Sequence, residues 1–279
     1  MNIALSVWSC HQNMYDRAWS NADFIDFVGT TKADGVELLS MFWNTDTDLP
    51  QVEAALQRNG LKLACFGACN NLAERDELKR RAQVQDILTS VDMADRLGAK
   101  AVRIFSGDRS EGLTFDEAKV WIIAGLKEAA AYAEKKGIAL CLENHGHFAG
   151  KASQVADIIR EVGSPALRST FDTGNFLLVD ENPSTAIGQL LPLVSHVHLK
   201  DFKHIAAGAE QGRTYTSLSG AVYAGKAPGE GDVDLPFILS QLKGAGYEGW
   251  LAVEYEGNED QQTASARSIE NLRSLLQQA

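Results

Sequence analysis

Short apolar runs alternate with longer amphipathic stretches from one end of this chain to the other, and that rhythm restricts the fold more than any single residue does. The runs are "NIALSVW" (2–8), "DGVELL" (34–39), "LKLACFG" (61–67), "KAVRIF" (100–105), "IALCLE" (138–143), "LRSTFD" (167–172), "HVHLK" (196–200) and "WLAVEY" (250–255). Between them the apolar positions recur every three to four residues, most clearly in "ERDELKRRAQVQDILTSVDMADRLG" and "TFDEAKVWIIAGLKEAAAYAEKKG". Both stretches close on glycine, as helices commonly do, and "TFDE" has the spacing of a capping box. Strand followed by helix implies parallel pairing through right-handed crossovers, and eight such units match a closed (β/α)₈ TIM barrel of about 250 residues. An open doubly wound sheet competes, but "WSCHQNMYD" after the first run lacks the glycine-rich phosphate loop of such folds. No shift of composition marks a linker, so one domain over 1–279 is expected. It carries a long loop after the seventh strand, "KHIAAGAEQGRTYTSLSGAVYAGKAPGEGDVD". Connections of that length are usually lids, binding loops or disordered segments.

Strand phase then selects residues. Alternate side chains of a strand face opposite sides. In the fifth run Ile138, Leu140 and Leu142 form one row and Ala139, Cys141 and Glu143 the other; in the sixth, Leu167 and Phe171 oppose Arg168, Thr170 and Asp172. In the seventh, Val197 and Leu199 oppose His196, His198 and Lys200; in the eighth, Leu251, Val253 and Tyr255 oppose Trp250, Ala252 and Glu254. With the apolar rows packed under helices, Glu143, Asp172, His198 and Glu254 come to the C-terminal ends of four consecutive strands, where TIM barrels carry their active sites. Three carboxylates and an imidazole in one mouth repel or shift one another's pKa unless a cation sits among them. One divalent metal ion resolves the conflict: Mn²⁺ first, with Mg²⁺, Co²⁺ or Zn²⁺ also suited to mixed oxygen and imidazole ligands, and no thiolate to suggest a closed structural zinc. His196, one layer deeper, is expected as a hydrogen-bonded core residue.

Composition removes several classes of partner. With 26 Lys+Arg against 37 Asp+Glu, the net charge of −11 disfavours nucleic acid and anionic membrane surfaces. No run of about 18 apolar residues is present, and "MNIALSVWSC" lacks the features of a signal peptide, so a cytoplasmic location is expected. The four cysteines form no CxxC pair. "GAVYAGKA" only approximates a nucleotide-binding P-loop, because Ala227 stands where a hydroxyl is required. There is no G-x-S-x-G hydrolase elbow.

The ordered set "LCLENHG", "STFDTGN", "HVHLKD", "PGEGDVD" and "LAVEYEG" resembles the xylose isomerase-like TIM barrels, a group of sugar isomerases and epimerases that includes inosose dehydratases, ketose 3-epimerases and AP endonucleases of the endonuclease IV type. The resemblance covers nearly the whole chain. It implies a divalent metal held by Glu143, Asp172, His198 and Glu254. It further implies proton abstraction next to a carbonyl, with an enediolate stabilised by the metal and Glu143 and Glu254 as proton carriers on opposite faces of a sugar. Isomerase or epimerase activity is the first expectation and a lyase acting on an inosose or 3-keto sugar the alternative; a non-catalytic sugar-binding barrel is a third. One departure stands out: Asn175 occupies the place three residues after the aspartate where ketose epimerases and AP endonucleases commonly carry a histidine.

Further candidates surround this set. His145 and His147 of "ENHGH" are near the expected mouth, and His145 is taken as an acid or base. Lys200 could steady an oxyanion or pair with Asp201. Glu37, Arg103, Asn175 and the aromatic walls Trp8 and Trp43 are substrate-binding candidates, as is Glu230 if the long loop folds over the site. The expected partner is a small sugar, keto-sugar or inosose; self-association into a homo-oligomer is allowed for.

Overall fold

The structure is a computed structural model that describes the chain except for Arg17, Thr45, Ala207, Glu210, Gln211 and Ala279. Eight parallel strands close into a barrel: β1 (Asn2–Ser6), β2 (Gly35–Leu39), β3 (Lys62–Gly67), β4 (Ala101–Ile104), β5 (Ala139–Glu143), β6 (Leu167–Asp172), β7 (Val194–Leu199) and, after an insertion, β11 (Trp250–Val253), which pairs with both β7 and β1. Each is followed by a helix of eight residues or more: α1 (Asn21–Val28), α2 (Asp48–Asn59), α3 (Glu77–Leu97), α4 (Phe115–Lys136), α5 (Ala152–Val162), α6 (Pro183–Leu190), α7 (Leu235–Gly244) and α8 (Gln261–Gln278), with α7 ahead of β11. The expected barrel is therefore present, strand by strand. The "TFDE" box caps α4, with the Thr114 hydroxyl accepting from the Glu117 amide and the Glu117 carboxylate accepting from the Thr114 amide. Gly137 ends that helix at φ 64°, a left-handed angle that glycine adopts without cost.

Strand phase follows the sequence pattern. The helix-facing rows, among them Ile3, Leu5, Leu140, Leu142, Val197, Leu199, Leu251 and Val253, are buried in one large core. Burial of each side chain of this size contributes about 1.5–3 kcal/mol. Inside the barrel the fully buried apolar residues are small, with the half-buried Trp250 packed against them. Ala4, Ala64 and Ala252 form one cluster and Cys65, Ala101 and Cys141 another. That leaves the interior above them to polar side chains. Two register slips tune the phase. Between β2 and β3 the pairing passes from Val36/Leu63 to Glu37/Cys65, which puts one extra residue, Ala64, into β3. Between β6 and β7 it passes from Ser169/Val194 to Thr170/His196, which brings Asp172 level with His198.

The long segment after β7 is a structured insertion, which corrects the expectation of a loop. Strands β8 (Asp201–Ile205), β9 (Tyr215–Thr216) and β10 (Val222–Lys226) form a small antiparallel sheet in the order β8-β10-β9. It is tied to the barrel where Gly225 bridges Gly257, an approach so close that a Cβ on Gly225 would lie 2.3 Å from the Glu256 carbonyl oxygen. Among the described residues no helix is long and apolar enough to cross a membrane.

Candidate active site

His198 is the centre of the polar cluster at the C-terminal end of the barrel. Its Nε2 lies 3.0 Å from Glu37 Oε2, and the same oxygen lies 2.7 Å from His196 Nε2, with all three side chains fully buried. A carboxylate only accepts, so both imidazoles donate from Nε2. In the neutral ring the lone pair of His198 is then on Nδ1, which faces Glu143 Oε2 at 3.5 Å, Glu254 Oε1 at 3.5 Å and Asp172 Oδ2 at 3.9 Å. His198 Nδ1 and Asp172 Oδ2 are buried without a hydrogen-bond partner. One ligand atom from each of Glu143, Asp172, His198 and Glu254 can be chosen so that all lie within 4.8 Å of one another. Buried orphan polar atoms are costly. The unpaired His198 Nδ1, aimed with Asp172 Oδ2 into one set of three oxygens and a nitrogen, fits a divalent cation, although Oδ2 also has the Lys200 ammonium at 3.2 Å; a carboxylate behind the histidine is the usual support for such a ligand.

The charges around this point shift one another strongly. Burial disfavours the charged form of His198, but Glu37, Glu254 and Glu143 outweigh it and hold its pKa well above the ordinary imidazole value. Burial pushes Asp172 up to about 7, helped by Glu143 and Glu254 and opposed by Lys200. Glu143 feels the same burial, yet His198 and Arg103 bring its carboxyl far below the usual range.

The turn after β6 explains "DTGN". Asp172 Oδ1 accepts from the backbone amides of Gly174 (2.9 Å) and Asn175 (2.8 Å), which leaves Oδ2 for the cluster. A Cβ on Gly174 would stand 2.9 Å from Lys200 Cγ, so glycine is what lets the turn pass over that lysine. Asn175 donates to Glu143 Oε1 at 3.0 Å and accepts from Lys200 Nζ at 3.3 Å. The Lys200 ammonium also contacts Asp172 (3.2 Å), Glu254 (3.1 Å) and Glu256 (3.1 Å). Burial acts against its charge, but Asp172, Glu256 and Glu254 more than compensate, so it stays protonated at neutral pH. It is an acid or a fixed positive charge, not a base. Arg103 is buried beside Glu143, Nε to Oε2 3.2 Å, and lies over the ring of Phe105.

A cavity of about 410 Å³ opens over this floor. Of the sequence candidates, Trp8, Arg103, Glu143, His145, Asn175, Lys200 and Glu254 line it. His145 stands in the mouth, exposed, with its ring 4.6 Å from that of Phe105. His147 instead pairs with Asp108 at 3.2 Å.

Four expectations are corrected. Glu37 is not in the mouth but beneath it, because the carboxylate is committed to the two histidines. Trp43 does not line the cavity; it packs edge-on against Phe66 at 5.3 Å. Glu230 does not reach the site, since it forms an ion pair with Arg267 of α8 at 2.9 Å. Asp201 does not pair with Lys200. Its carboxylate accepts from the amides of Gly229, Gly231 and Val233, and so shapes the "PGEGD" loop.

One residue was missed. Glu256 is buried in the cavity wall, accepts from Trp8 Nε1 at 2.7 Å, and is brought down to about 2 because Lys200, Tyr215 and Arg213 outweigh its burial. The period of two that selects Glu254 selects Glu256 as well if the last strand is followed two residues further. Arg213 and Tyr215 also reach the cavity, from the insertion after β7.

Comparison with known proteins agrees with this architecture. The family model for the xylose isomerase-like TIM barrel matches residues 25–275. The chain belongs to that family. It is 28% identical over 267 residues to the rhizopine catabolism protein MocC of Rhizobium meliloti, covering 87% of this chain and 80% of that protein. It is also 28% identical over 135 residues to the inosose dehydratase of Clostridium tetani; that match spans 47% of this chain and 45% of the dehydratase, about half its length. Among solved structures, the 3-keto-D-glucoside 4-epimerase of E. coli shares the fold with a TM-score of 0.77 at 17% identity, over 98% of this chain and 99% of that one. The proteins similar to this chain thus include an inosose dehydratase, over part of its length, and, in fold, a 3-keto-D-glucoside 4-epimerase.

Proposed function

We propose that this chain is a divalent-metal-dependent enzyme that removes the proton from a carbon next to a carbonyl in a small sugar, keto-sugar or inosose, with epimerisation or isomerisation as the outcome. The observation that carries this reading is the arrangement about His198 Nδ1, with Glu143 and Glu254 each 3.5 Å away. Glu143, Asp172, His198 and Glu254 would hold the cation, with manganese the first expectation. When bound, the cation supplies Lewis acidity that stabilises the negative oxygen of an enediolate. The protein residues do the rest. Glu143 and Glu254 come from β5 and the end of β11, so one carboxylate takes the proton and the other returns it from the opposite side. Arg103 and Asn175 orient the Glu143 carboxylate through its two oxygens. Trp8 and Phe105 wall the sugar, and His145 is placed to exchange a proton with a substrate hydroxyl.

Dehydration is the second reading, favoured by the Lys200 ammonium. A proton donor held charged at 3.1 Å from both Glu254 and Glu256 is suited to a departing β-hydroxyl. Incubation of metal-loaded protein with keto-sugars and inososes in D₂O tests both readings. Deuterium incorporation without loss of water is expected for the first, and an unsaturated or diketone product for the second. Absence of exchange with every substrate would overturn the shared chemistry.

A further inference from the structure

Asp86, half-buried on α3, does not line the cavity over the polar floor. Its Oδ2 accepts from the backbone amide of Cys69 at 3.0 Å and from the Ser40 hydroxyl at 3.1 Å, and the same amide also donates to Ser40 Oγ at 3.0 Å. The carbonyl of that peptide unit belongs to Ala68, and it accepts from Arg103 Nη1 at 2.8 Å. One peptide therefore stands between two charged side chains, its N–H turned to Asp86 and its C=O to Arg103. Beyond Arg103 is Glu143, whose Oε2 lies 3.2 Å from Arg103 Nε. Burial raises the Asp86 carboxyl, and the Ser40 hydroxyl, the Cys69 amide and the Arg103 charge oppose that rise.

The charges fix the peptide in one orientation. A peptide unit carries a dipole of about 3.5 D, positive at its N–H end. As it stands, each end meets the opposite sign; a flip would turn the carbonyl to the carboxylate and the N–H to the guanidinium. That orientation matters because, among the described residues, the Ala68 carbonyl is the only hydrogen-bond acceptor of the Arg103 guanidinium, and Nε is buried without one. The rest of the segment between β3 and β4 is fastened to the same place. Ala68 N donates to the Arg103 carbonyl at 2.8 Å. The Asn70 side chain brackets Phe105, donating to its carbonyl at 2.6 Å and accepting from its amide at 3.1 Å. That steadies the ring on which the guanidinium rests, 4.0 Å from its centroid. A Cβ on Gly67 would lie 2.9 Å from Arg103 Nη2, so glycine gives the arginine its passage.

We propose that Asp86 is a positioning residue for the site: it fixes the Ala68–Cys69 peptide, the peptide fixes Arg103, and Arg103 fixes the Glu143 carboxylate. The inference rests on the functional reading above for the proton that Glu143 carries, and on the contacts alone for the link from Asp86 to Arg103.

Two readouts separate those parts. The first is the Arg103 Nε–H signal in nitrogen-15 spectra of the metal-free protein, identified by its loss in Arg103→Lys. Burial shields this proton, and Asp86→Ala should speed its exchange with water about tenfold or more, with the barrel still folded by circular dichroism. Asp86→Asn, whose amide oxygen still accepts from Cys69, should restore slow exchange. A signal that Asp86→Ala leaves unchanged, or that Asp86→Asn does not restore, overturns the proposal whatever the reaction. The second readout is deuterium uptake from D₂O by D-fructose or 2-keto-myo-inositol with the Mn²⁺-loaded protein. Asp86→Ala should lower kcat about ten- to a hundredfold, the scale of a misplaced reacting group, and Asp86→Asn by no more than about threefold. An unchanged kcat in Asp86→Ala overturns the proposal. In an Arg103→Met background Asp86→Ala should cost nothing further, because residues acting through one another are not additive; a second full loss there also overturns it. If neither compound takes up deuterium with the wild type, the proton chemistry fails and the Arg103 signal alone decides the link. Should Asp86→Ala not fold, Ser40→Ala removes the hydroxyl shared by Asp86 and the Cys69 amide and takes its place in both readouts, with the same changes expected and their absence overturning the proposal.

Discussion

The two ends of the barrel offer a direct contrast. At the N-terminal end a cavity of about 790 Å³ is lined by Lys62, Arg96, Lys100 and Glu53 around Ala64, Ala101 and Ala139. It is almost twice the size of the cavity at the C-terminal end, about 410 Å³. Yet its charged residues are all at least partly exposed, and Arg96 is satisfied by Glu53 at 2.9 Å. At the C-terminal end Glu37, Glu143, Asp172, His196, His198, Lys200, Glu254 and Glu256 are all buried. Solvated charge costs little, whereas buried charge needs partners and is a drain on stability unless well compensated. Burial of converging charge, more than volume, therefore distinguishes the end to which the proposed chemistry is assigned.

The largest expected effect separates the two ends most sharply. Glu254→Gln should reduce deuterium exchange by about 10²–10⁴-fold, the range for loss of a proton-transferring group, while Lys100→Gln at the opposite end leaves exchange unchanged. Equal effects would dissolve the contrast. Next is Glu37→Gln, which alters no proposed ligand but weakens the support behind His198. Metal affinity should fall about 10- to 100-fold, as for other groups that orient a ligating histidine, with the barrel still folded by circular dichroism. Unchanged affinity would show that the tautomer is set elsewhere.

Metal affinity should also depend on pH. Asp172 is held near pH 7 by burial, and His198 is held above its ordinary value, so both carry protons in the cation-free chain at low pH. Ligands must be deprotonated to bind metal. Affinity should thus rise with pH through the neutral range, as the protons on these ligands are displaced. A flat profile across that range would contradict the charge assignment. The smallest effect belongs to Glu230→Gln. Its pair with Arg267 is about a third exposed on both sides. The cost should be at most about 1 kcal/mol of stability, with no change in turnover.

Much of this was legible in the sequence because a parallel barrel buries both faces of every strand. Each bulky row has to lie under helices and its complement has to point inward, which puts Glu143, Asp172, His198 and Glu254 on one level from the alternation alone. Glu37 was correctly phased but its depth was not legible, since depth depends on the slips that insert Ala64 into β3 and set Asp172 beside His198. Glu256 was lost because the strand was stopped at Tyr255, although the same alternation runs on through it. The small sheet was not legible because β8 and β10, "DFKHI" and "VYAGK", show no clean alternation of apolar and polar residues and are held by pairing with each other. Glu230 and Asp201 were misjudged for a related reason: their partners, Arg267 and the amides of Gly229, Gly231 and Val233, are fixed by how the insertion folds back on the barrel.

The most direct test of the account is calorimetric titration of Mn²⁺ or Mg²⁺ into metal-stripped protein at pH 8. One ion per chain is expected, bound with release of protons, and His198→Ala should abolish the binding while the chain stays folded. No binding to the wild type, or binding that His198→Ala leaves intact, would contradict the claim that the buried cluster at the C-terminal mouth is a metal site.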